Sequence, residues 1–150
     1  MNSNFNKSVA EILGLSHHKA PTFSKEELTR LYASAYKLYH DAEYEKAKDL
    51  FLQLVLALPF NGAFWAGLAS CEQMCKSYDA ALRAWALAAL TNPEDPLPHF
   101  HAAECYLSQG DKLEALKALN SAKSLISAES ELKEKIENLK TACETHDSIQ

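Results

Sequence analysis

Glycine is scarce in this sequence, with four residues among 150. A phosphate-binding loop needs closely spaced glycines, so the sequence predicts no nucleotide site of that kind. No apolar run approaches the roughly 18 residues that a membrane span requires, and residues 1–20 are too polar for a secretory signal. We therefore expect a protein that does not cross a membrane and has no glycine-rich nucleotide site.

Basic residues are too few for a nucleic-acid surface. Lys and Arg number 15 against 20 Asp and Glu, which gives a net charge of −5. Nucleic-acid phosphates are bound by clustered Lys and Arg side chains. The sequence predicts no nucleic-acid partner.

Cysteine is also sparse, and all four residues fall inside helical patterns: Cys71, Cys75, Cys105 and Cys143. We expect buried thiols in a reducing cytosol, since this pattern is not a disulfide framework. Cys71 and Cys75 lie one helical turn apart, and His101 and Cys105 repeat that spacing. A structural zinc site needs four ligands, and these pairs lie in different repeats, so we predict no metal and no cofactor. Cys105 with a histidine lacks the local signature of a nucleophilic pair, so we predict no enzyme.

What the sequence does contain is a helical repeat. Within residues 62–95, the positions Trp65, Leu68, Ala81, Trp85 and Pro93 match the tetratricopeptide pattern. A step of 34 residues in either direction returns alanine at the small positions and a large apolar residue at one position of the second helix, whereas Trp65 is matched by Leu31 and His99. The small positions are Ala35, Ala69 and Ala103 in the first helices and Ala47, Ala81 and Ala115 in the second; the large position is Phe51, Trp85 or Leu119. Because one helical pair cannot bury its apolar face alone, three stacked repeats make a stable unit.

The predicted fold is therefore all-α, a tetratricopeptide-repeat solenoid of three helical hairpins plus a C-terminal capping helix, over residues 24–145. Ser24 and Glu27 form a capping box that begins the first helix. Helices are expected over residues 24–40, 45–58, 63–74, 78–91, 96–108, 112–126 and from about 129 onward. Leu132, Ile136 and Cys143 give the last helix one apolar stripe and a solvated outer face.

The two ends of the chain are predicted to be separate from the repeats. Residues 1–23 form an N-terminal segment in which Val9, Ile12 and Leu13 lie on one side of a short amphipathic helix. Residues 146–150 are expected to be a frayed tail.

In such a stack, the first helix of each hairpin lines the concave side. The positions expected to face it are Thr29, Tyr32, Tyr36 and Tyr39, then Ala63, Ala66, Ser70 and Gln73, then Leu97, Phe100, Glu104 and Leu107, with His101 at the edge. Three tyrosines on one helix stripe, off the packing positions, offer apolar area plus hydroxyl groups, which suits an extended peptide. The alternative is that these rings pack against the N-terminal segment or a neighbouring helix.

Two stretches go beyond the generic repeat. They are LYASAYKLY from Leu31, followed by YEKA from Tyr44, and FHAAECYLSQG from Phe100. Together, over residues 24–139, they resemble the class II chaperones of type III secretion systems. The resemblance implies a chaperone of the bacterial cytoplasm that binds hydrophobic translocator proteins through a Pro/Val-x-Leu-x-x-Pro segment held in the concave groove.

The resemblance also implies roles for particular residues. It assigns peptide binding to Tyr32, Tyr39, Tyr44, Phe100, His101 and Glu104, and the groove geometry adds Tyr36, Ala66 and Leu97. Family members often associate through their N-terminal part, which implies a homodimer contact for Val9, Ile12 and Leu13. The mechanism is holding without catalysis.

The alternative function is a generic tetratricopeptide scaffold unrelated to secretion. Repeat proteins that bind the acidic C-terminus of a heat-shock chaperone resemble one another in a clamp of basic and amide side chains. A resemblance to them would require Lys and Asn at the positions of Tyr32 and Tyr36. It would also require Lys and Arg at the positions of Leu97 and His101. That version is disfavoured.

Overall fold

The computed structural model describes residues 11–14 and 20–145, and these residues form helices and no strand. Within residues 20–145, seven helices follow one another: α1 (Lys25–His40), α2 (Tyr44–Ala57), α3 (Gly62–Met74), α4 (Tyr78–Thr91), α5 (Leu97–Ser108), α6 (Lys112–Ser124) and α7 (Leu132–Thr145). The predicted all-α class and the helix positions are confirmed, with ends that differ by a few residues. In the described part of the chain, no helix is both long and apolar enough to cross a membrane.

Side chains that cap free backbone N–H groups set where several helices begin. At α1, the Ser24 hydroxyl accepts from the Glu27 N–H at 3.1 Å, and the Ser24 N–H donates to the Glu27 carboxylate at 2.6 Å. This is the predicted capping box. Asn61 caps α3 by accepting from the Ala63 N–H, and Asp111 caps α6 by accepting from the Glu114 N–H.

The turn inside each hairpin has the same backbone conformation in all three repeats. Ala42, Lys76 and Gly110 occupy the same repeat position and have φ of 60°, 61° and 79°. The residue after each donates a hydrogen bond of 2.9 Å back across the helix end, to the carbonyls of Leu38, Glu72 and Tyr106. This is the closure expected at a left-handed helix C-terminus. Only the third turn uses glycine, so the first two are strained positions for an L-residue.

The six repeated alanines are the points where the helices meet. Ala35, Ala69 and Ala103 in the first helices and Ala47, Ala81 and Ala115 in the second are all fully buried. The large position of each second helix is buried as well, at Phe51, Trp85 and Leu119. These predictions from the repeat are confirmed.

The core has two parts along the stack. One runs through the first two hairpins, where Trp65 is fully buried and its indole N–H donates to the Pro59 carbonyl at 2.7 Å. The other joins the third hairpin to α7 through Ile136 and Cys143. Helix α7 therefore covers the last hairpin with a narrow apolar stripe and leaves most of its surface to water.

The four cysteines are free, and three of them are buried: Cys71, Cys105 and Cys143. Cys75 is the C-cap that follows helix α3 and is half-buried, so the expectation of four buried thiols is wrong there. Burial raises the pKa of Cys71 and of Cys105 to about 12. At neutral pH these two thiols are protonated and unreactive.

Candidate functional site

A cleft opens between α1 and α3 on the inner face of the stack, the face formed by α1, α3 and α5. Its volume is about 260 Å³, and its lining is Tyr32, Tyr36, Tyr39, Phe51, Ala63, Ala66, Gly67 and Ser70. Four of the predicted peptide-binding residues, the three tyrosines and Ala66, thus line one cleft. The tyrosines form one wall, and the small residues of α3 form the floor.

The three tyrosines are not equivalent. The Tyr32 ring lies 5.4 Å from that of Phe64, and the Tyr39 ring lies 5.4 Å from that of Tyr44. Both Tyr32 and Tyr39 are half-buried against the core, so the expectation that all three lie off the packing positions is wrong for these two. Tyr36 has 51% of its surface exposed and is the freest of the three to meet a ligand.

Burial also affects the chemistry of Tyr39. It raises the pKa of the Tyr39 hydroxyl above its usual value, with smaller contributions from neighbouring groups that include Tyr44 and Glu104. At neutral pH the hydroxyl keeps its proton and can donate a hydrogen bond.

Gly67, which the sequence analysis did not single out, shapes the floor of the cleft. A Cβ placed on Gly67 would overlap the ring of Phe51, so only glycine lets this ring lie directly against α3. The available signal was a glycine in the middle of a helix, where it costs about 1 kcal/mol relative to alanine and usually has a packing reason.

One repeat after Gly67 stands His101, and it meets the aromatic side chain equivalent to Phe51. The imidazole of His101 stacks on Trp85, with ring centroids 4.9 Å apart and planes 23° apart. Its Nδ1 lies 2.7 Å from Oε2 of Glu104, and Gln73 donates to the same oxygen at 3.1 Å. The Trp85 indole N–H donates to Gln73 at 3.0 Å. A polar chain therefore links α4, α3 and α5 at this end of the inner face.

The pKa of the Glu104 carboxyl lies below its usual value. Burial by itself would raise this pKa, but hydrogen bonds from His101 and Gln73 outweigh the burial. A carboxyl with a lower pKa in the folded state stabilises the protein fully above its unfolded pKa of about 4.3. That stabilisation is lost as the pH falls through the folded pKa.

We therefore expect Glu104→Gln to lower the melting temperature at pH 7 by about 2–4 °C. Melting curves followed by circular dichroism should show this difference shrinking as the pH falls below the unfolded pKa of about 4.3 and through the lower folded pKa of Glu104. Glu131→Gln, at an exposed carboxyl, is the matched control and should change little at any pH. A Glu104→Gln difference that stays constant with pH would contradict the role given to the charged carboxylate.

The other predicted peptide-binding residues lie at different depths. Leu97 is 47% exposed at the start of α5, whereas Phe100 is 7% exposed and packs within the third hairpin. Tyr44 is half-buried beside Tyr39. Phe100 is therefore placed to support the inner face from beneath, and the roles of these residues in binding stay predictions.

Two of the predicted self-association residues, Ile12 and Leu13, lie apart from the inner face. Val9 falls outside the described residues. Leu13 packs against the core of the first two hairpins, while Ile12 is 48% exposed. Their role in self-association stays a prediction.

No group of three or more His, Cys, Asp and Glu side chains in residues 11–14 and 20–145 is arranged to hold a metal ion. Three stacked helical hairpins with a cleft on the inner face define a binding protein of the tetratricopeptide-repeat class.

No family model matches the chain. The chain is 34% identical over 111 residues to the Low calcium response locus protein H of Yersinia pestis, a match that covers 74% of this chain and 66% of that protein. It therefore spans just under two thirds of this relative's length. Among solved structures, the Yersinia enterocolitica chaperone SycD, crystallised with a peptide of the translocator YopD, is 31% identical with a TM-score of 0.78. That match covers 83% of this chain and 97% of SycD.

A second solved relative is PcrH, known from Pseudomonas aeruginosa, in complex with the chaperone binding region of PopD. It is 27% identical with a TM-score of 0.78, and the match covers 83% of this chain and 96% of PcrH. This chain belongs to the family of type III secretion translocator chaperones. The resemblance inferred from the sequence is confirmed, and the alternative of a scaffold unrelated to secretion is rejected.

Proposed function

We propose that this protein binds an extended segment of a hydrophobic translocator protein in the inner-face cleft and keeps that client soluble until export. The observation that carries the proposal is the open cleft, in which three tyrosines stand over a floor of small residues. The relatives of this protein, SycD and PcrH, were crystallised with segments of the translocators YopD and PopD, respectively.

The cleft suits one aliphatic side chain of an extended segment. Its volume of about 260 Å³ is at or just below the lower limit for a small-molecule pocket, and it is too small for a whole helix. In a Pro/Val-x-Leu-x-x-Pro segment, the leucine would fill the space above Ala66 and Gly67. The prolines would favour an extended backbone before binding, which lowers the entropy lost on binding.

The proposed mechanism is binding without catalysis, in the bacterial cytoplasm. Two of the buried thiols, at Cys71 and Cys105, have pKa values of about 12 and are not nucleophiles at neutral pH. A net charge of −5 helps a chaperone stay in solution while it carries an aggregation-prone client. Release must follow binding, so moderate affinity is expected.

Tyr36→Ala is the substitution that best separates binding from folding. Tyr36 is half-exposed, whereas Tyr32→Ala plus Tyr39→Ala would also remove rings that pack on Phe64 and Tyr44. We expect Tyr36→Ala to weaken binding of a Pro/Val-x-Leu-x-x-Pro peptide by about tenfold, because a tyrosine at the centre of an interface contributes strongly. Isothermal titration calorimetry measures this change.

Tyr106→Ala is the matched control, because it removes a half-buried tyrosine that does not line the cleft. It should leave the affinity for the peptide unchanged. Ala66→Leu should also weaken peptide binding, because the larger side chain would fill the floor of the cleft opposite the tyrosines. If both cleft variants bound the peptide as the native protein does, the cleft would not be the binding site.

A further inference from the structure

The outer face of the stack, formed by α2, α4 and α6, carries two grooves that are copies of each other. The first outer groove lies between α2 and α4, and the second lies between α4 and α6. Every residue of α2, α3 and α4 that lines the first has its counterpart, one repeat later, in the lining of the second. Leu52, Leu68 and Ala84 in the first correspond in this way to Ala86, Ala102 and Ala118 in the second.

The first outer groove is occupied by this chain itself. Ile12 and Leu13, from the N-terminal segment, line it together with the helices, and Leu13 packs against the core there. Glu11 and Ile12 are helical, and the Gly14 N–H donates to the Glu11 carbonyl at 3.0 Å. A helical turn with two adjacent aliphatic side chains is therefore what this type of groove accepts.

The second outer groove has no such occupant among the described residues. Its cavity is about 550 Å³, against about 260 Å³ in the first. Leu90 on its rim is 74% exposed, whereas the equivalent Leu56 is 7% exposed. Pro93 is likewise exposed where the equivalent Pro59 is buried. The second groove thus presents apolar surface at Leu90 and Pro93, two positions that are buried one repeat earlier.

The second groove is also the more apolar of the two. Lys48 and Glu72 of the first groove are replaced by Leu82 and Tyr106 in the second. The charged residues that line it, Glu114 and Lys117, stand where the first groove has Ala80 and Arg83, and they are paired with each other at 2.5 Å. A segment entering this groove would leave no unpaired charge behind, so a more apolar helix than the chain's own N-terminal segment fits it.

We propose that the second outer groove binds a short amphipathic helical segment of the client, with adjacent aliphatic side chains filling the space below Leu90. This inference rests on the proposed function, because a hydrophobic translocator supplies helices that need to be kept from water. Held at the inner cleft and at this groove together, the client would bind more tightly than at either alone.

A second copy of this chain fits the groove less well than the client does. Its N-terminal segment would have to leave its own first groove, where Leu13 is packed. An exchange of segments between two copies would fill as many grooves as it emptied and would still bear the entropy cost of association. A client helix adds buried surface without removing any.

The test uses the full chain and a synthetic peptide with the sequence of residues 8–15, which carries the Ile-Leu pair that lines the first groove. Ala86→Arg places a charge in the second groove at an exposed position of α4, so the fold is kept. We expect calorimetry to show peptide binding that Ala86→Arg weakens by about tenfold or more. Asn120→Arg, at an exposed position of α6 away from the groove, should bind as the native chain does.

The same variants separate this inference from the proposed function. Ala86→Arg should leave binding of the Pro/Val-x-Leu-x-x-Pro peptide unchanged, and Tyr36→Ala should leave binding of the helical peptide unchanged. Absence of binding, or equal binding of the helical peptide by Ala86→Arg, would overturn the groove assignment. Sedimentation that shows a dimer dissociated by Ala86→Arg would assign the groove to a second copy and overturn the client as its occupant.

Discussion

Replacing Trp85 with alanine is expected to lower the free energy of unfolding by about 3–5 kcal/mol. Trp85 is 4% exposed, so its removal leaves a large cavity between the second and third hairpins. The substitution also removes the indole N–H, which donates a hydrogen bond to the Gln73 side chain, and the ring on which His101 stacks. Denaturation by urea, followed by circular dichroism, measures the loss.

Leu90→Ala on the same helix is the matched control. Leu90 is 74% exposed, so its truncation should change the free energy of unfolding by no more than about 0.5 kcal/mol. Trp85→Phe should fall between the two, because it keeps most of the buried ring and loses only the hydrogen bond and part of the volume. A loss below about 1 kcal/mol for Trp85→Ala would mean that α4 turns another face to the core.

The helices and the core could be predicted because the same pattern of residues recurs in three repeats. One buried alanine in a helix is ambiguous, but Ala35, Ala69 and Ala103 at equal spacing mark one packing position in three copies. Local signals then placed the ends, such as the capping box that begins at Ser24. The period thus determines which face of each helix is buried, and a single sequence is enough to read it.

The details of the inner face could not be predicted, because periodicity gives the direction of a side chain and not the distance to its neighbours. Tyr32 and Tyr39 point toward the inner face as expected, yet they also pack against the core. How far they are buried depends on how closely α3 approaches. The positive φ angles of Ala42 and Lys76 have no local signal either, since neither residue type favours that conformation.

The outer grooves also could not be predicted from the sequence, although the residues that line them recur at the repeat spacing. A groove forms only between second helices of successive hairpins, and its lining comes from three helices at once. Leu90 and Leu56 occupy the same repeat position, but one is exposed and the other buried. Such a difference depends on the surroundings of each residue in the folded chain and is not visible in the repeat itself.

Gly67→Ala is expected to destabilise the protein by about 1–3 kcal/mol, even though alanine is the better helix former. The added methyl group would overlap the ring of Phe51, which is fully buried beneath the cleft and has little room to move. The ring can shift only toward the cleft that it lines, so peptide binding should weaken as well. Urea denaturation and calorimetry with the Pro/Val-x-Leu-x-x-Pro peptide measure the two effects.

Gly62→Ala provides the control, because it makes the same change at the start of α3. The atom that its new methyl group meets most closely is the side-chain hydroxyl of Thr91, which can move only by weakening its hydrogen bonds to the Leu87 and Ala88 carbonyls. The overlap is smaller than the one with the Phe51 ring, so the cost should stay below that of Gly67→Ala and peptide binding should not change. Phe51→Leu should relieve Gly67→Ala, because leucine fills the equivalent position at Leu119 in the third hairpin without an aromatic ring. A double-mutant cycle should therefore show that the two substitutions are less costly together than their sum. Additive effects would mean that the Phe51 ring does not depend on the missing side chain of Gly67.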